Sequence, residues 1–335
     1  MAATQQLAGR KVLVTGADGF IGSRLVELLA AAGAEVRALV YYNSWQSCGW
    51  LDESPAEVRR ACELFPGDIR DGERVRQAVA GCDYVFHLAS LIGIPYSYVA
   101  AHSYVQTNVQ GAVNVLEACR SSDRLTALLH TSTSEVYGSA QSVPIREDHP
   151  LVGQSPYSAS KIAADKMAES YHLSFGLPVI TARPFNTYGP RQTARAVIPT
   201  IASQLLSGCQ RLRLGALSPT RDFNFVSDTA AAMIALATCE AAIGKTVNIG
   251  TGQEWSIEQT ARLLMQICGH EVPIEAEASR IRPTNSEVNR LLADNSRILS
   301  LTGWRPQVQL PEGLALTVEW IRNNLARFEP DAYAV

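Results

Sequence analysis

Apolar and polar positions alternate in blocks from the first residues of the chain. KVLVTG at 11–16 is a short apolar run rich in valine, with threonine beside the closing glycine, and predicts a buried strand. Gly16-Ala17-Asp18-Gly19-Phe20-Ile21-Gly22 follows, then an alanine- and leucine-rich stretch to Ala32 that predicts a helix closed by Gly33. AEVRALV at 34–40 predicts the second strand. The same reading gives strands at 61–65, 83–88, 125–131, 178–182 and 246–249. It gives helices at 71–80, 102–120, 155–176, 195–207, 227–240, 256–268 and 312–326. Residues 44–60 read as a loop or short helix, and 208–220 as a loop. Strands and helices in this rhythm predict an α/β fold built on a doubly wound parallel sheet. After Pro184 the rhythm loosens, and Pro283, Pro306 and Pro311 punctuate the remainder. The expected organisation is a nucleotide-binding domain over 1–185 with a return segment at about 221–250. A smaller mixed α/β lobe over 186–220 and 251–330 would lie across the sheet ends.

Strand, glycine turn and helix in that order make the phosphate-cradling start of a Rossmann-type βαβ unit. Gly16 allows the tight turn and Gly19 leaves room for a pyrophosphate. Gly22 lets the helix pack close, so that its free N–H groups and dipole face the anion. The spacing is GxxGxxG. Dinucleotide folds often end the second strand in an acid that holds the adenosine ribose. Here that end reads Val40-Tyr41-Tyr42-Asn43-Ser44. With neither carboxylate nor arginine in place, Asn43 and Ser44 suit either cofactor, and NAD and NADP both stay open. Asp68 and Ile69, after the third strand, are expected to border the adenine.

Hydrophobic residues at 47% against 18% charged indicate a folded chain able to fill a large core over 335 residues. A net charge of −3 gives no basis for nucleic-acid binding. No apolar run is long enough to span a bilayer and no signal-peptide core precedes the first strand, so a cytoplasmic protein is expected. Seven cysteines without a CxxC pair, and six histidines without HExxH, point to reduced thiols and no catalytic metal.

Tyr157 and Lys161 stand four apart in PYSASKIAADKMAE, hence on one face of a helix. An ammonium beside a phenol favours the phenolate, and such a base beside a nicotinamide suits oxidation of a hydroxyl. Upstream, the strand at 125–130 ends in Thr131, Ser132, Thr133, Ser134 and Glu135. Polar groups at the carboxyl end of a parallel strand lie where open α/β sheets bind ligands.

These segments, with DYVFHLAS at 83–90, TNVQGAVNVLEA at 107–118, RPFNTYGPRQ at 183–192, RDFNFVSD at 221–228, RPTNSEV at 282–288 and LTGWRP at 301–306, resemble the extended short-chain dehydrogenase/reductase family. The match runs over essentially the whole chain. Within that family the chain is most similar to nucleotide-sugar 4,6-dehydratases. YYNSWQSCGWLD and ASLIGIPYSY resemble the branch acting on UDP-N-acetylglucosamine in legionaminic-type sugar pathways.

The resemblance implies that Tyr157 is the base at the sugar C4 hydroxyl, that Lys161 holds the nicotinamide ribose, and that Thr133 bonds the O4 region. Glu135 becomes the base at C5. Ser134 stands where many relatives carry an aspartate that protonates the C6 leaving group, which leaves the acid unassigned. Cofactor contacts are implied for Gly16, Gly19, Phe20, Ile21, Gly22, Asn43, Ser44, Asp68, Ile69, Leu88, Ala89, Ser90, Tyr157 and Lys161. Substrate contacts are implied for Asn186, Arg195, Arg221 and Arg282, with Arg191 a weaker candidate, and Asn108 resembles a structural asparagine beside the site. The implied reaction is C4 oxidation, elimination of water across C5 and C6, and return of hydride to C6, on a tightly bound NAD or NADP. The implied assembly is a homodimer through helices 102–120 and 155–176. Three rival readings share these motifs: a 4-epimerase, which needs no carboxylate at C5, a decarboxylase of a nucleotide-linked uronic acid, and a non-catalytic cofactor-binding protein.

Overall fold

The structure, a computed structural model, describes residues 6–277, 280 and 288–330. Seven parallel strands form its central sheet: β1 Lys11–Thr15, β2 Glu35–Tyr41, β3 Glu63–Gly67, β4 Tyr84–His87, β5 Ala127–Thr131, β6 Val179–Pro184 and β7 Thr246–Ile249. Their order is β7-β6-β5-β4-β1-β2-β3. The chain winds outward from β1 to β3, then crosses to the other side of β1 and continues to β7. The switch point therefore lies between β1 and β4, where this class of sheet opens a crevice for ligands.

Period-two alternation explains why both faces are covered. Val12 and Val14 of β1 point into one core with Leu25, Val26 and Leu29 of helix α1 (Phe20–Ala31), while Leu13 points into the other. Helices α2 (Gly72–Val79), α3 (Gly111–Arg120) and α4 (Pro156–Phe175) cover that second face. A further core gathers α5 (Val197–Leu206), α7 (Ile257–Cys268) and α9 (Leu310–Asn323) around Tyr188, Phe223 and Phe225. Between them in sequence, α6 (Val226–Ala237) lies against α1 and leads into β7 at the sheet edge.

The expected elements recur within a few residues, with three informative differences. The long helix expected at 102–120 is interrupted: Ala101–Tyr104 and α3 flank a π-helical turn at Val105–Gln110. That wider turn carries the buried Asn108, whose amide donates to the Leu91 carbonyl and the Ser160 hydroxyl. The loop expected at 208–220 contains a strand, Leu212–Leu214, paired in parallel with Ile274–Ala276. Helix α8 (Ser296–Thr302) had no apolar periodicity long enough to register, and its Ile298 packs into the α1 and α6 core, so part of the segment read as the second lobe returns to the main sheet. Among the described residues no helix is long and apolar enough to cross a membrane.

The glycine turn is a contact between backbones. Gly16 sits at φ +67°, and a Cβ there would come 2.9 Å from the Ala89 nitrogen. A Cβ on Gly22 would lie 2.0 Å from the Gly16 carbonyl oxygen. Alanine at Gly22 gains about 1 kcal/mol of helix propensity, but the atom it strikes is main chain and cannot rotate away. Overpacking therefore wins, and Gly22→Ala is expected to lose at least about 2 kcal/mol of stability in urea unfolding. An unchanged midpoint would contradict this packing.

Candidate active site

Four segments meet at the carboxyl ends of β1, β4 and β5. The first is the glycine turn. Helix α1 begins at Phe20 with Gly19 as its cap and no side chain bonded to its first turn, so the N–H groups there remain available to an anion. The second is Leu88-Ala89-Ser90, drawn against that turn because the Thr15 hydroxyl bonds the Leu88 and Ala89 nitrogens, each at 3.1 Å. Asn108 fixes the next residue, its Oδ1 accepting from the Leu91 nitrogen at 2.8 Å.

The third segment follows β5. Thr133 caps a 3-10 turn over Ser134–Tyr137, its hydroxyl accepting from the Glu135 nitrogen at 3.2 Å. The fourth is the start of α4. A reciprocal capping box between Ser155 and Ser158, with Pro156 at the first position, sets the helix start and so places Tyr157 in its first turn. Tyr157 and Lys161 are both buried. The Thr133 hydroxyl and the Glu135 carboxylate both bear on the Tyr157 phenol, the first favouring its ionised form and the second opposing it. Lys161 Nζ donates to the Thr131 carbonyl at 2.7 Å. The end of β5 and the first turns of α4 thus place Thr133, Glu135, Tyr157 and Lys161 in one region.

Their electrostatics differ from the sequence-based picture in one respect. Burial drives the Tyr157 phenol above its ordinary range; the Thr133 bond pulls it back, while Glu135, Tyr104 and Asp165 push it further up. Burial also brings Lys161 down to about 8, with Asp165 opposing. Burial dominates both groups, and the Lys161 ammonium is turned onto the Thr131 carbonyl.

Behind this surface lies a charged network with no counterpart in the sequence reading. Asp165, one turn after Lys161, accepts from the Ser132 hydroxyl at 2.8 Å and lies 3.2 Å from His130 Nε2. Arg183 of β6 reaches the same carboxylate through Nε and Nη2 at 3.2 and 3.0 Å, and donates through Nη1 to the Tyr137 hydroxyl at 3.0 Å. Burial pushes the Asp165 carboxyl up, but His130, Arg183 and Ser132 together hold it below its ordinary value. The only sequence signal was the i,i+4 spacing of two opposite charges, Lys161 and Asp165.

The remaining candidates divide. Asn186 opens a three-residue strand beside Phe223–Phe225, and its buried Oδ1 has no hydrogen-bond partner among the described residues. Arg195 approaches Gly93 and the charge field of Tyr104, whose ring packs edge-on against Tyr157. Arg221 is buried in a two-stranded ribbon with Trp255–Ser256, its Nη1 donating to the Thr220 carbonyl. Arg191 ties the loop after β6 to α1 through Glu27 at 2.8 Å and Ser23 at 3.2 Å, a bracing role. Arg282 lies outside the described residues. Asp68 is forked by Arg70, and beside Ile69 an open cleft is lined by Asp68, Arg70, Asp71, Gln106 and Gln110.

Asn43 is held within its own loop. Its amide donates to the Tyr41 and Ser47 carbonyls and its oxygen accepts from the Trp45 and Ser47 nitrogens. That uses the full bonding capacity of the side chain and leaves none for a ribose. Ser44 sits in the same exposed loop without a described bond to the cluster.

A parallel sheet with its glycine turn at the switch point, and a Tyr/Lys helix beside a Thr-Ser-Glu turn, define an extended short-chain dehydrogenase/reductase. The family model described as GDP-mannose 4,6 dehydratase matches residues 13–317, and the chain belongs to that family of nucleotide-sugar enzymes. A dTDP-glucose 4,6-dehydratase of Actinoplanes sp. is 34% identical, with 94% of this chain and 98% of the relative aligned. A UDP-glucose 4-epimerase of Mycolicibacterium smegmatis is also 34% identical, over 93% of this chain and 99% of the relative. Among solved structures, a dTDP-glucose 4,6-dehydratase from Streptomyces venezuelae with NAD bound superposes at TM-score 0.84 and 31% identity, covering 96% and 99% of the two chains. A UDP-glucuronic acid 4-epimerase from Bacillus cereus with NAD superposes at 0.83 and 28%, covering 94% and 99%.

Asp165→Asn leaves Arg183 facing a neutral amide in a dry site. Its expected cost at pH 7 is about 3–5 kcal/mol, read by urea unfolding. Because the Asp165 carboxyl is held below its ordinary 3.8, its contribution is complete above that value and is lost as the pH falls beneath it. The gap between wild type and variant is therefore expected to close only in acid; a gap independent of pH would contradict the network.

Proposed function

We propose that the chain is a nucleotide-sugar 4,6-dehydratase, acting on UDP-N-acetylglucosamine or a related nucleotide-linked hexose. The observation that carries this reading is Glu135: its turn is capped by Thr133, and its charge bears on the phenol of Tyr157. Of these side chains, oxidation at C4 by a bound nicotinamide would draw on Tyr157 and Lys161. A second base beside them suits removal of the C5 proton, which becomes acidic once C4 is a ketone, and that step separates a dehydratase from a 4-epimerase.

The residues present fit a nicotinamide dinucleotide. The close backbone contacts of Gly16 and Gly22 hold the turn tight against the uncapped start of α1, whose free N–H groups suit a pyrophosphate. The Gly16–Gly22 turn with Phe20 and Ile21 would hold the pyrophosphate, Asp68 and Ile69 the adenine, and Leu88, Ala89, Ser90 and Lys161 the nicotinamide and its ribose. When bound, the nicotinamide supplies a reversible two-electron oxidant. Tyr157 takes the O4 proton, with Thr133 bonded to it. Glu135 takes the proton from C5. Ser134 is a weak acid, so the proton reaching the departing C6 oxygen comes from Glu135 or from water. The cation of Arg195 suits the substrate's diphosphate, the unpartnered Asn186 Oδ1 suits a hydroxyl or N–H donor of the substrate, and Arg221 and Arg282 are the further cations that the family resemblance implies.

The lobe built on 186–220 and most of 251–330 is assigned to the sugar nucleotide. A homodimer is proposed through the helices at 102–120 and 155–176, where Val105, Leu173 and Phe175 are exposed apolar residues. A cytoplasmic location goes with a nucleotide-sugar substrate.

Incubation with UDP-N-acetylglucosamine, dTDP-glucose and GDP-mannose, followed by mass analysis, tests the reading. Loss of one water is expected, with deuterium entering C5 in heavy water. Glu135→Gln is expected to lower dehydration at least about a hundredfold while C4 oxidation stays detectable. An unchanged product mass with inverted C4 would select the epimerase instead.

A further inference from the structure

The tip of β2 offers no side-chain acid of its own, and Asn43 is spent within its loop. The structure supplies a carboxylate there from another segment. Asp18, inside the glycine turn, extends across to β2 and its Oδ2 accepts from the Tyr41 nitrogen at 3.0 Å. Two further contacts hold it in place. The Trp50 nitrogen donates to the Asp18 carbonyl at 3.0 Å. Gly49 approaches so closely that a Cβ there would come 2.4 Å from the same oxygen. The carboxylate therefore belongs to a rigid junction of the turn, the strand tip and the 41–50 loop.

The groups acting on the Asp18 carboxyl are its burial and backbone N–H donors, with no cation among them. At the strand tip the Arg70 cation interacts with Tyr41. Its guanidinium is forked onto Asp68 through Nε, at 3.0 Å to each carboxylate oxygen, so it presents no uncompensated positive charge to the tip.

In a doubly wound dinucleotide fold the end of β2 faces the adenosine ribose. A fixed, unpaired carboxylate accepts hydrogen bonds from ribose hydroxyls and opposes a phosphate on the 2′ oxygen. We infer that Asp18 reads the adenosine ribose and makes this site select NAD over NADP. The inference rests on the proposed dinucleotide site and assigns its cofactor form.

The test is calorimetric titration of the full chain, freed of nucleotide, with NAD and with NADP, alongside mass analysis of whatever dinucleotide the purified protein carries. Wild type is expected to carry NAD and to bind NADP at least about tenfold more weakly. Asp18→Asn keeps an acceptor for the Tyr41 nitrogen but removes the charge, and is expected to narrow that ratio at least about tenfold. Arg70→Ala is expected to leave the ratio within about twofold. Preference of the wild type for NADP, which needs no variant to observe, overturns the inference. So does an unchanged ratio in a folded Asp18→Asn protein, or collapse of NADP binding in Arg70→Ala. Binding of neither dinucleotide by folded wild type is a different failure, removing the cofactor site itself.

Discussion

Asp165 lies where the end of β5, the end of β6 and the middle of α4 converge, and its carboxylate is shared by Ser132, His130 and Arg183. Ser132 directly precedes Thr133, and Lys161 precedes Asp165 by one turn of α4. One buried anion therefore couples the strand that delivers Thr133 and Glu135 to the helix that delivers Tyr157 and Lys161. A charge this deep is tolerable only because its partners are in place, and the same requirement fixes the relative position of the two segments. Through Arg183, Tyr137 and Asn248 the network runs on to β7, giving the edge strand a part in the geometry.

The rest of the site depends on backbones brought unusually close. Gly22 packs on the Gly16 carbonyl and Gly16 on the nitrogen of Ala89, so the first helix, the first strand and the end of β4 meet without intervening side chains. Thr15 stitches the same point from below, bonding Leu88, Ala89 and His87. The result is a rigid floor on one side of the switch-point crevice, opposite the Thr133-capped turn and the Tyr157 helix. Each half is held by its own interactions, so rigidity in the site does not rest on a ligand.

Much of this was legible in the chain. The apolar runs in KVLVTG and AEVRALV gave the strands because a strand covered on both faces carries apolar side chains at successive positions. The four-residue step from Tyr157 to Lys161 sufficed to place both on one helical face. What stayed hidden depends on contacts between distant segments. Asp165 looks like any charge on a surface helix until β6 carries Arg183 beneath it. Asp18 reads as a turn residue, because no local pattern says that its carboxylate will reach Tyr41. The π turn at Val105–Gln110 is set by Asn108 bonding Leu91 and Ser160, a demand from outside the helix that propensity does not register. Asn43 shows the converse: a polar residue at the expected place satisfies itself within its own loop.

The central claim is that Tyr157 and Glu135 act on adjacent carbons of one hexose. A crystal structure of the full chain with dinucleotide and a slowly reacting nucleotide-hexose tests it most directly. The account predicts the Tyr157 hydroxyl within hydrogen-bond reach of O4, about 2.6–3.2 Å, and the Glu135 carboxylate directed at C5 of the same ring. A sugar seated against Tyr157 with the Glu135 carboxylate turned away from C5 would contradict it.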